Sequence, residues 1–173
     1  MRRSALAVGC ALVLALAGCR RVPESPGGVL GPSPYLRELA LPYVGPTPHD
    51  WRRLSGRVVL VAFFATWCFP CVAELPTLEA LQKEYGPQGF QVVLVGMDLE
   101  GAKTLAPFAD QYALNFPMLV SDERMQQGQS AFGLIPALPA AFLLDKEGQV
   151  AGAWQGVASY EDTSQAVEKL LRR

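Results

Sequence analysis

The sequence predicts an α/β domain whose central layer is a mixed sheet. Three apolar runs rich in β-branched and aromatic residues are typical of strands that are covered on both faces. Segments with the apolar periodicity of amphipathic helices follow these runs along the chain. The runs occupy residues 57–65, 90–97 and 140–145, and the helical segments occupy residues 69–85, 103–114 and 160–171. This alternation predicts a sheet with helices packed on its faces.

The elements around the first run are predicted from local signals. Residues 35–48 contain isolated apolar residues among prolines, so an edge hairpin and an irregular segment on the core both remain open. Apolar residues recur every three positions in residues 69–85, which predicts a helix with one buried face. Gly86-Pro87 marks the end of this helix, because proline cannot continue it.

Shorter elements are predicted in the second half of the chain. Residues 116–120 read as a short extended segment, and residues 122–132 as a helix with Ser121 as its N-cap. Residues 146–149 form a predicted tight turn that leads into a strand at residues 150–154. Because this strand follows the third apolar run through a short turn, the sheet is expected to close on an antiparallel hairpin.

The first residues have the build of an export signal. Arg2 and Arg3 precede an apolar stretch at residues 5–16, which is shorter than the roughly 20 apolar residues that a spanning helix needs. The stretch ends in Leu16-Ala17-Gly18-Cys19, which resembles the bacterial lipobox, where the chain is cut before the cysteine and the cysteine receives lipid. An ordinary signal peptide with a chance cysteine at its end is the alternative.

The lipobox divides the chain into three parts. Residues 1–18 are the predicted lipoprotein signal peptide, residues 19–34 a lipid anchor with a Pro/Gly-rich tether, and residues 35–173 the folded domain. This organisation predicts an exported bacterial lipoprotein that is held at a membrane of the cell envelope and faces the periplasm. Which membrane holds the anchor stays open.

The charge of the chain excludes nucleic acid as a partner. The net charge is -1, and no stretch is dense in lysine or arginine, whereas phosphates require a basic surface. Removal of residues 1–18 would take Arg2 and Arg3 away and leave 13 basic against 16 acidic residues, a net charge of -3. No cofactor is expected from the sequence.

A pair of cysteines, Cys68 and Cys71, stands where the first apolar run gives way to a helix. A structural disulfide is the weaker interpretation, because a ring closed across two residues constrains the unfolded chain very little. The unpaired N–H groups at a helix start favour a thiolate, which makes Cys68 the candidate nucleophile. Cys71, about one turn later, is placed to attack the mixed disulfide that Cys68 forms with a substrate.

A metal site is a second interpretation of this pair. Tetrahedral zinc needs two more Cys or His ligands, and the chain contains a single histidine, His49. Copper bound by the thiolates with His49 or a methionine stays open as an alternative, in which the protein is a copper chaperone or redox carrier. No metal ligand is assigned.

Two distant blocks of sequence carry a family resemblance. The first is Trp67-Cys68-Phe69-Pro70-Cys71 followed by Glu74-Leu75-Pro76, and the second runs from Leu138 to Asp145. Together they resemble the active-site and strand motifs of the TlpA/ResA-like exported thiol-disulfide oxidoreductases of the thioredoxin superfamily. The resemblance covers roughly residues 50–171 and implies a thioredoxin-like three-layer sandwich with a central mixed β-sheet.

The resemblance implies a substrate-binding region beside the cysteines. Pro139 is expected to be a cis proline that faces them, with Pro136 as a competing candidate. A cis proline exposes the backbone of Leu138 for strand-like contact with a substrate peptide. Trp67 is expected either to pack at the rim of the site or to shield the sulfurs and meet the partner.

The resemblance also bears on proton transfer. Glu74 matches an acidic residue of the family and is expected either to accept a proton as Cys71 becomes a thiolate or merely to favour the helix dipole. Thioredoxins carry a buried aspartate six residues before the first cysteine, where this chain has Ala62. The proton relay through that acid is therefore absent.

The predicted function is a lipid-anchored protein-disulfide oxidoreductase that works as a monomer. The resemblance implies protein thiol and disulfide substrates, with apocytochrome c as a candidate, and a membrane protein that supplies electrons. A thiol peroxidase is the alternative enzyme class, because Thr66-Trp67-Cys68 superficially resembles a peroxidatic motif, although the proline expected before the threonine is missing. The direction of electron flow depends on a reduction potential that these residues leave open.

Overall fold

A six-stranded mixed sheet lies at the centre of the described chain, which in this computed structural model comprises residues 33–173. Its strands are β1 (Tyr43–Val44), β2 (Val58–Phe64), β3 (Phe90–Gly96), β4 (Met118–Val120), β5 (Ala140–Leu144) and β6 (Val150–Gln155). Their order across the sheet is β1-β4-β3-β2-β5-β6. Because β2 is parallel to β3 and antiparallel to β5, the predicted mixed sheet is confirmed.

Helices cover both faces of the sheet. They are α1 (Pro34–Glu38), α2 (Phe69–Tyr85), α3 (Ala102–Tyr112), α4 (Glu123–Gln126) and α5 (Tyr160–Leu171), with short 3-10 turns at Trp51–Leu54 and Gly86–Gln88. Buried residues of α2, α3 and α5 pack on one face, and those of α1, α4 and the Trp51–Leu54 turn pack on the other. The three-layer α/β architecture predicted from the sequence is therefore confirmed.

The central strand β2 explains why the sheet is buried on both sides. All seven of its residues are buried, and alternate side chains enter opposite core clusters, with Phe64 on the α2 side and Phe63 on the α4 side. Burial of one such aromatic side chain is worth about 1.5–3 kcal/mol relative to exposure. The unbroken apolar run thus places β2 between two helical layers rather than at an edge.

Strand register brings the ends of three elements together. Phe64 at the end of β2 pairs with Gly96 at the end of β3, and Phe63 pairs with Ala140 at the start of β5. The segments that follow β2 and β3 and the segment that precedes β5 consequently meet at one end of the sheet. We refer to this as the cysteine end, because Cys68 lies just beyond β2.

Most long elements confirm the sequence prediction, whereas one short helix was predicted wrongly. Helices α2 and α5 have the predicted bounds of residues 69–85 and 160–171. The helix predicted at residues 122–132 ends already at Gln126, and its N-cap is Asp122 rather than Ser121, since the Asp122 side chain accepts the Met125 N–H. Gly128 adopts a left-handed φ of 74° close to Leu134, which stops the helix.

The segment left open by the sequence is partly regular. Residues 35–48 contain all of α1 except Pro34, and the edge strand β1, which pairs antiparallel with β4. Ser33 is buried, caps α1, and donates from Oγ to the Gly148 carbonyl at 2.5 Å. Ser33 and Pro34, assigned to the tether by composition, thus belong to the folded domain. The predicted signal peptide, Cys19 and residues 20–32 lie outside the described residues.

Candidate active site

The cysteine pair sits at the junction of β2 and α2. After β2 the chain makes a turn in which the Cys68 N–H donates to the Ala65 carbonyl at 3.0 Å. Cys68 is the N-cap of α2, and its Sγ accepts the Cys71 N–H at 3.3 Å. The Cys68 sulfur therefore lies at the N-terminal end of a 17-residue helix, where backbone dipoles favour negative charge on sulfur.

The two cysteines form a disulfide in this structure, with their Cα atoms 5.2 Å apart. Cys68 is 5% exposed and Cys71 is 2% exposed, so both sulfur-bearing side chains are recessed. Their neighbours in sequence, Trp67 and Phe69, are 73% and 83% exposed. The site is thus a buried redox pair between two large aromatic side chains that stand in water.

Pro139 reaches the cysteine end in the conformation that the resemblance implied. The Leu138–Pro139 peptide bond is cis, and it is the one cis bond recorded among residues 33–173, so the competing candidate Pro136 was wrong. The Pro139 carbonyl accepts the Gly156 N–H at 2.8 Å, which ties it to the segment after β6. Leu138 is half-buried and packs against both core clusters.

Glu74 is a buried carboxylate one turn after Cys71. It is 4% exposed, and its Oε1 accepts the Ala158 N–H at 2.9 Å. Burial raises the pKa of the Glu74 carboxyl above its ordinary value, and the hydrogen bond from Ala158 offsets part of that effect. The hydrogen bond from Ala158 ties this carboxylate of α2 to the segment after β6.

Asp98 is a second buried carboxylate at the cysteine end, and the sequence analysis missed it. It follows β3, is 2% exposed, and accepts hydrogen bonds from the N–H and the hydroxyl of Thr66. Thr66 lies two residues before Cys68. An acidic residue two positions after a buried parallel strand was the available signal, because such residues collect at the carboxyl end of the sheet, where sites form.

His49 is not brought to the cysteines. Its Nε2 lies 2.8 Å from the Leu39 carbonyl, beside α1. Within residues 33–173, the structure holds no group of three or more His, Cys, Asp or Glu side chains arranged to bind a metal ion. The same residues include no helix long and apolar enough to cross a membrane.

The disulfide lies at the start of the helix that follows the central strand, and a cis proline lies at the same end of the sheet. Together these features define a thiol-disulfide oxidoreductase of the thioredoxin-like fold. The chain matches the Redoxin family over residues 31–171 and belongs to that family. It is a protein-disulfide oxidoreductase, and the predicted resemblance to the ResA-like enzymes is confirmed.

Individual relatives agree with this family. The chain is 34% identical over 122 residues to the thiol-disulfide oxidoreductase ResA of Geobacillus thermodenitrificans, covering 70% of this chain and 68% of that protein. It is 32% identical to the thioredoxin-like protein YneN of Bacillus subtilis, covering 66% and 65%. A crystal structure of a thiol:disulfide interchange protein of the thioredoxin family from Chlorobium tepidum superposes with a TM-score of 0.62 at 27% identity, covering 76% and 94%.

Proposed function

We propose that this protein reduces disulfides of partner proteins in the cell envelope, with Cys68 as nucleophile and Cys71 as resolving thiol. The observation that carries the proposal is the placement of Cys68 as the N-cap of α2, with Cys71 within disulfide reach inside the helix. A sulfur at a helix start is activated as a thiolate, and the neighbouring thiol can displace what it binds.

The reaction runs in two exchanges. The Cys68 thiolate attacks a substrate disulfide, forms a mixed disulfide, and releases the first substrate sulfur as a thiolate that takes up a proton. Cys71 then loses its proton and attacks the Cys68 sulfur, which releases the second substrate sulfur and leaves the Cys68–Cys71 disulfide. Two electrons have passed to the substrate, and a membrane protein must return two electrons and two protons to the pair.

The surroundings of the pair suit a protein substrate. Trp67 and Phe69 are exposed beside Cys68, and Val157, next to the Gly156 that bonds to Pro139, is 55% exposed. Large apolar side chains left in water indicate a surface that another chain covers. Leu138, next to the cis bond, is expected to offer its backbone to an extended substrate segment. The resemblance to the TlpA/ResA-like reductases favours apocytochrome c as that substrate.

The fold is compatible with a tether that precedes Ser33. Ser33, where the described chain begins, is bonded to Gly148 near the start of β6, at the opposite end of the sheet from Cys68. With residues 1–18 removed as a signal peptide and lipid on Cys19, at most about 50 Å of extended chain would separate the anchor from Ser33. The cysteine end could then face partners in the periplasm.

Reduced protein is expected to exchange with a peptide disulfide at least about tenfold faster than it consumes hydrogen peroxide, because the exposed Trp67 and Phe69 beside Cys68 can bind a peptide but contribute nothing to binding peroxide. Stopped-flow measurements on the mature chain would compare the two rates at equal reactant concentrations. Faster peroxide consumption would favour the peroxidase alternative. Copper that stays bound at one equivalent after dialysis would favour the copper carrier.

A Cys19→Ala variant is expected to leave the membrane fraction, because a lipid chain on Cys19 would be lost. Cell fractionation with an antibody against the folded domain would measure the distribution of variant and wild type, and the mass of the detergent-extracted wild type would report the acyl groups. Exchange with a peptide disulfide should be unchanged in the purified variant. Wild-type protein whose mass shows no acyl groups would contradict lipid anchoring at this residue.

A further inference from the structure

Among residues 33–173, Thr66 supplies all the recorded hydrogen bonds to the Asp98 carboxylate. Its Oδ2 accepts the Thr66 N–H at 3.0 Å, and its Oδ1 accepts the same N–H at 3.3 Å and the Thr66 hydroxyl at 2.5 Å. The strand register explains this contact, because Phe64 pairs with Gly96 and the two chains leave the sheet side by side. The Met97 N–H continues the pairing by donating to the Phe64 carbonyl at 2.7 Å.

These contacts fix the turn that presents the nucleophile. Thr66 lies inside the turn closed by the hydrogen bond from the Cys68 N–H to the Ala65 carbonyl. A buried carboxylate that accepts from both the backbone and the side chain of one residue restrains that residue in position and orientation. Asp98 therefore acts on Cys68 through Thr66, and it is a positioning residue rather than a catalytic one.

The same carboxylate brings a negative charge to the cysteine end of the sheet. Its hydrogen-bond donors among residues 33–173 are the uncharged amide and hydroxyl of Thr66. Cys68 is two residues from Thr66, so the carboxylate lies within about 12 Å of the Cys68 Cα. Asp98 is also 2% exposed, which limits screening by water and salt.

Other charged groups at this end do not cancel Asp98. Glu74 approaches from α2 and is itself a buried acid. Glu100 and Lys103, on the segment that leads into α3, are both exposed to water. The N-terminal end of α2 favours a thiolate on Cys68, and the negative charge of Asp98 opposes it.

We propose that Asp98 sets the direction of electron flow by holding the Cys68 turn and by favouring the neutral disulfide over the thiolate-containing reduced pair. Reduction of the Cys68–Cys71 disulfide takes up two electrons and two protons, and loss of one proton near neutral pH places a thiolate beside this buried acid. The acid therefore destabilises the reduced pair relative to the disulfide, which favours transfer of its electrons to a substrate disulfide. The inference rests on the proposed function as a reductase and gives that function a physical cause.

The test compares the charge-removing variant Asp98→Asn with Glu100→Gln, which makes the same charge change at an exposed position two residues later. The mature proteins would be equilibrated with reduced and oxidised glutathione, and the fraction of dithiol would be measured by trapping. Asp98→Asn is expected to shift the equilibrium constant about tenfold toward the dithiol, as expected for one charge at about 10 Å in a partly screened site. Glu100→Gln should stay within about twofold of wild type.

Alkylation gives a second readout. In a Cys71→Ala background, the iodoacetamide reaction of Cys68 is expected to reach half its maximal rate at a lower pH when Asp98→Asn is added. Thr66→Val removes the hydroxyl donor and keeps the charge, so it should slow exchange without moving the glutathione equilibrium toward the dithiol. Comparison of Thr66→Val with Asp98→Asn therefore separates the effect of holding the Cys68 turn from the effect of the Asp98 charge.

A glutathione equilibrium of Asp98→Asn within twofold of wild type, or shifted toward the disulfide, would overturn the proposal. Asp98→Ser also removes the charge and keeps a short polar side chain. It takes the place of Asp98→Asn in the test if Asp98→Asn does not unfold cooperatively. If neither variant folds, Asp98 stabilises the fold and does not set the reduction potential of the cysteine pair. The proposal is then also overturned. Because glutathione is the probe, these outcomes depend neither on the physiological substrate nor on the lipid anchor.

Discussion

A Cys71→Ala variant is expected to stop at the mixed disulfide and to accumulate as a covalent adduct with its substrate through Cys68. Wild-type resolution is an intramolecular attack by a thiol one helical turn away, and such oriented attacks have effective molarities of about 10⁵ M or more. No other cysteine of the described chain can replace it, since residues 33–173 contain only Cys68 and Cys71. Non-reducing electrophoresis and intact mass measurement should show an adduct that dithiothreitol removes.

The reciprocal variant is the control for the order of the two sulfurs. Cys68→Ala should form little adduct, because Cys71 lies within α2 and lacks the N-cap position that activates Cys68. Cys19→Ala, which leaves the pair intact, should turn over normally and form no lasting adduct. Equal trapping by Cys68→Ala and Cys71→Ala would mean that either sulfur can attack, and the assigned roles would be wrong.

Local sequence signals were sufficient for the long elements and for the cysteine pair. The bounds of α2 were predicted correctly because apolar residues repeat along one face and Gly86-Pro87 ends the repeat. Cys68 was expected at the helix start because an apolar strand runs directly into that repeat. These features depend on residues that are neighbours in sequence, so no knowledge of tertiary contacts was needed.

Contacts between distant residues were not predictable in the same way. Asp98 and Thr66 are 32 residues apart, and Glu74 and Ala158 are 84 apart. Each contact requires the relative positions of elements that no local pattern specifies. The sequence shows alanine at position 62 in place of the acid, but nothing local indicates that Asp98, two residues after β3, brings another carboxylate to the same end of the sheet.

The bounds of the short helix α4 were predicted wrongly for a related reason. Ser121 and Asp122 are both good N-cap residues, and the choice between them is made by the tertiary packing that buries Ser121 at 7% exposure. The end of the helix is set by Gly128, where a Cβ would lie 2.8 Å from the Leu134 Cα. Close approach of two chain segments is visible only in the folded protein.

Glu74→Gln is expected to slow resolution by Cys71 by about a hundredfold near neutral pH, if the carboxylate takes the proton that Cys71 must lose. The position favours this role, because Glu74 follows Cys71 by three residues on α2, which places the two on neighbouring turns of one face. Glutamine keeps the carbonyl oxygen that accepts the Ala158 N–H, so the variant removes the proton acceptor while preserving the contact. Single-turnover exchange with a peptide disulfide would measure the rate.

The same variant has an expected signature in stability. Burial raises the pKa of Glu74 in the folded protein above its unfolded value, so the folded state binds more protons between the two values. Wild-type stability from this group is therefore full below the unfolded pKa, about 4.3, and is lost as pH rises through the raised folded pKa. The unfolding free energy of Glu74→Gln relative to wild type should increase with pH across that window and then level off.

Glu79→Gln is the matched control, because Glu79 lies on the same helix and is only partly buried. It should change the exchange rate by no more than about twofold, as expected for a substitution away from the cysteine pair. Denaturant titrations at several pH values would give the stability difference for both variants. Glu74→Gln could show the expected stability change and yet exchange as fast as Glu79→Gln. Glu74 would then be a structural acid that joins α2 to the segment after β6, with no role in proton transfer.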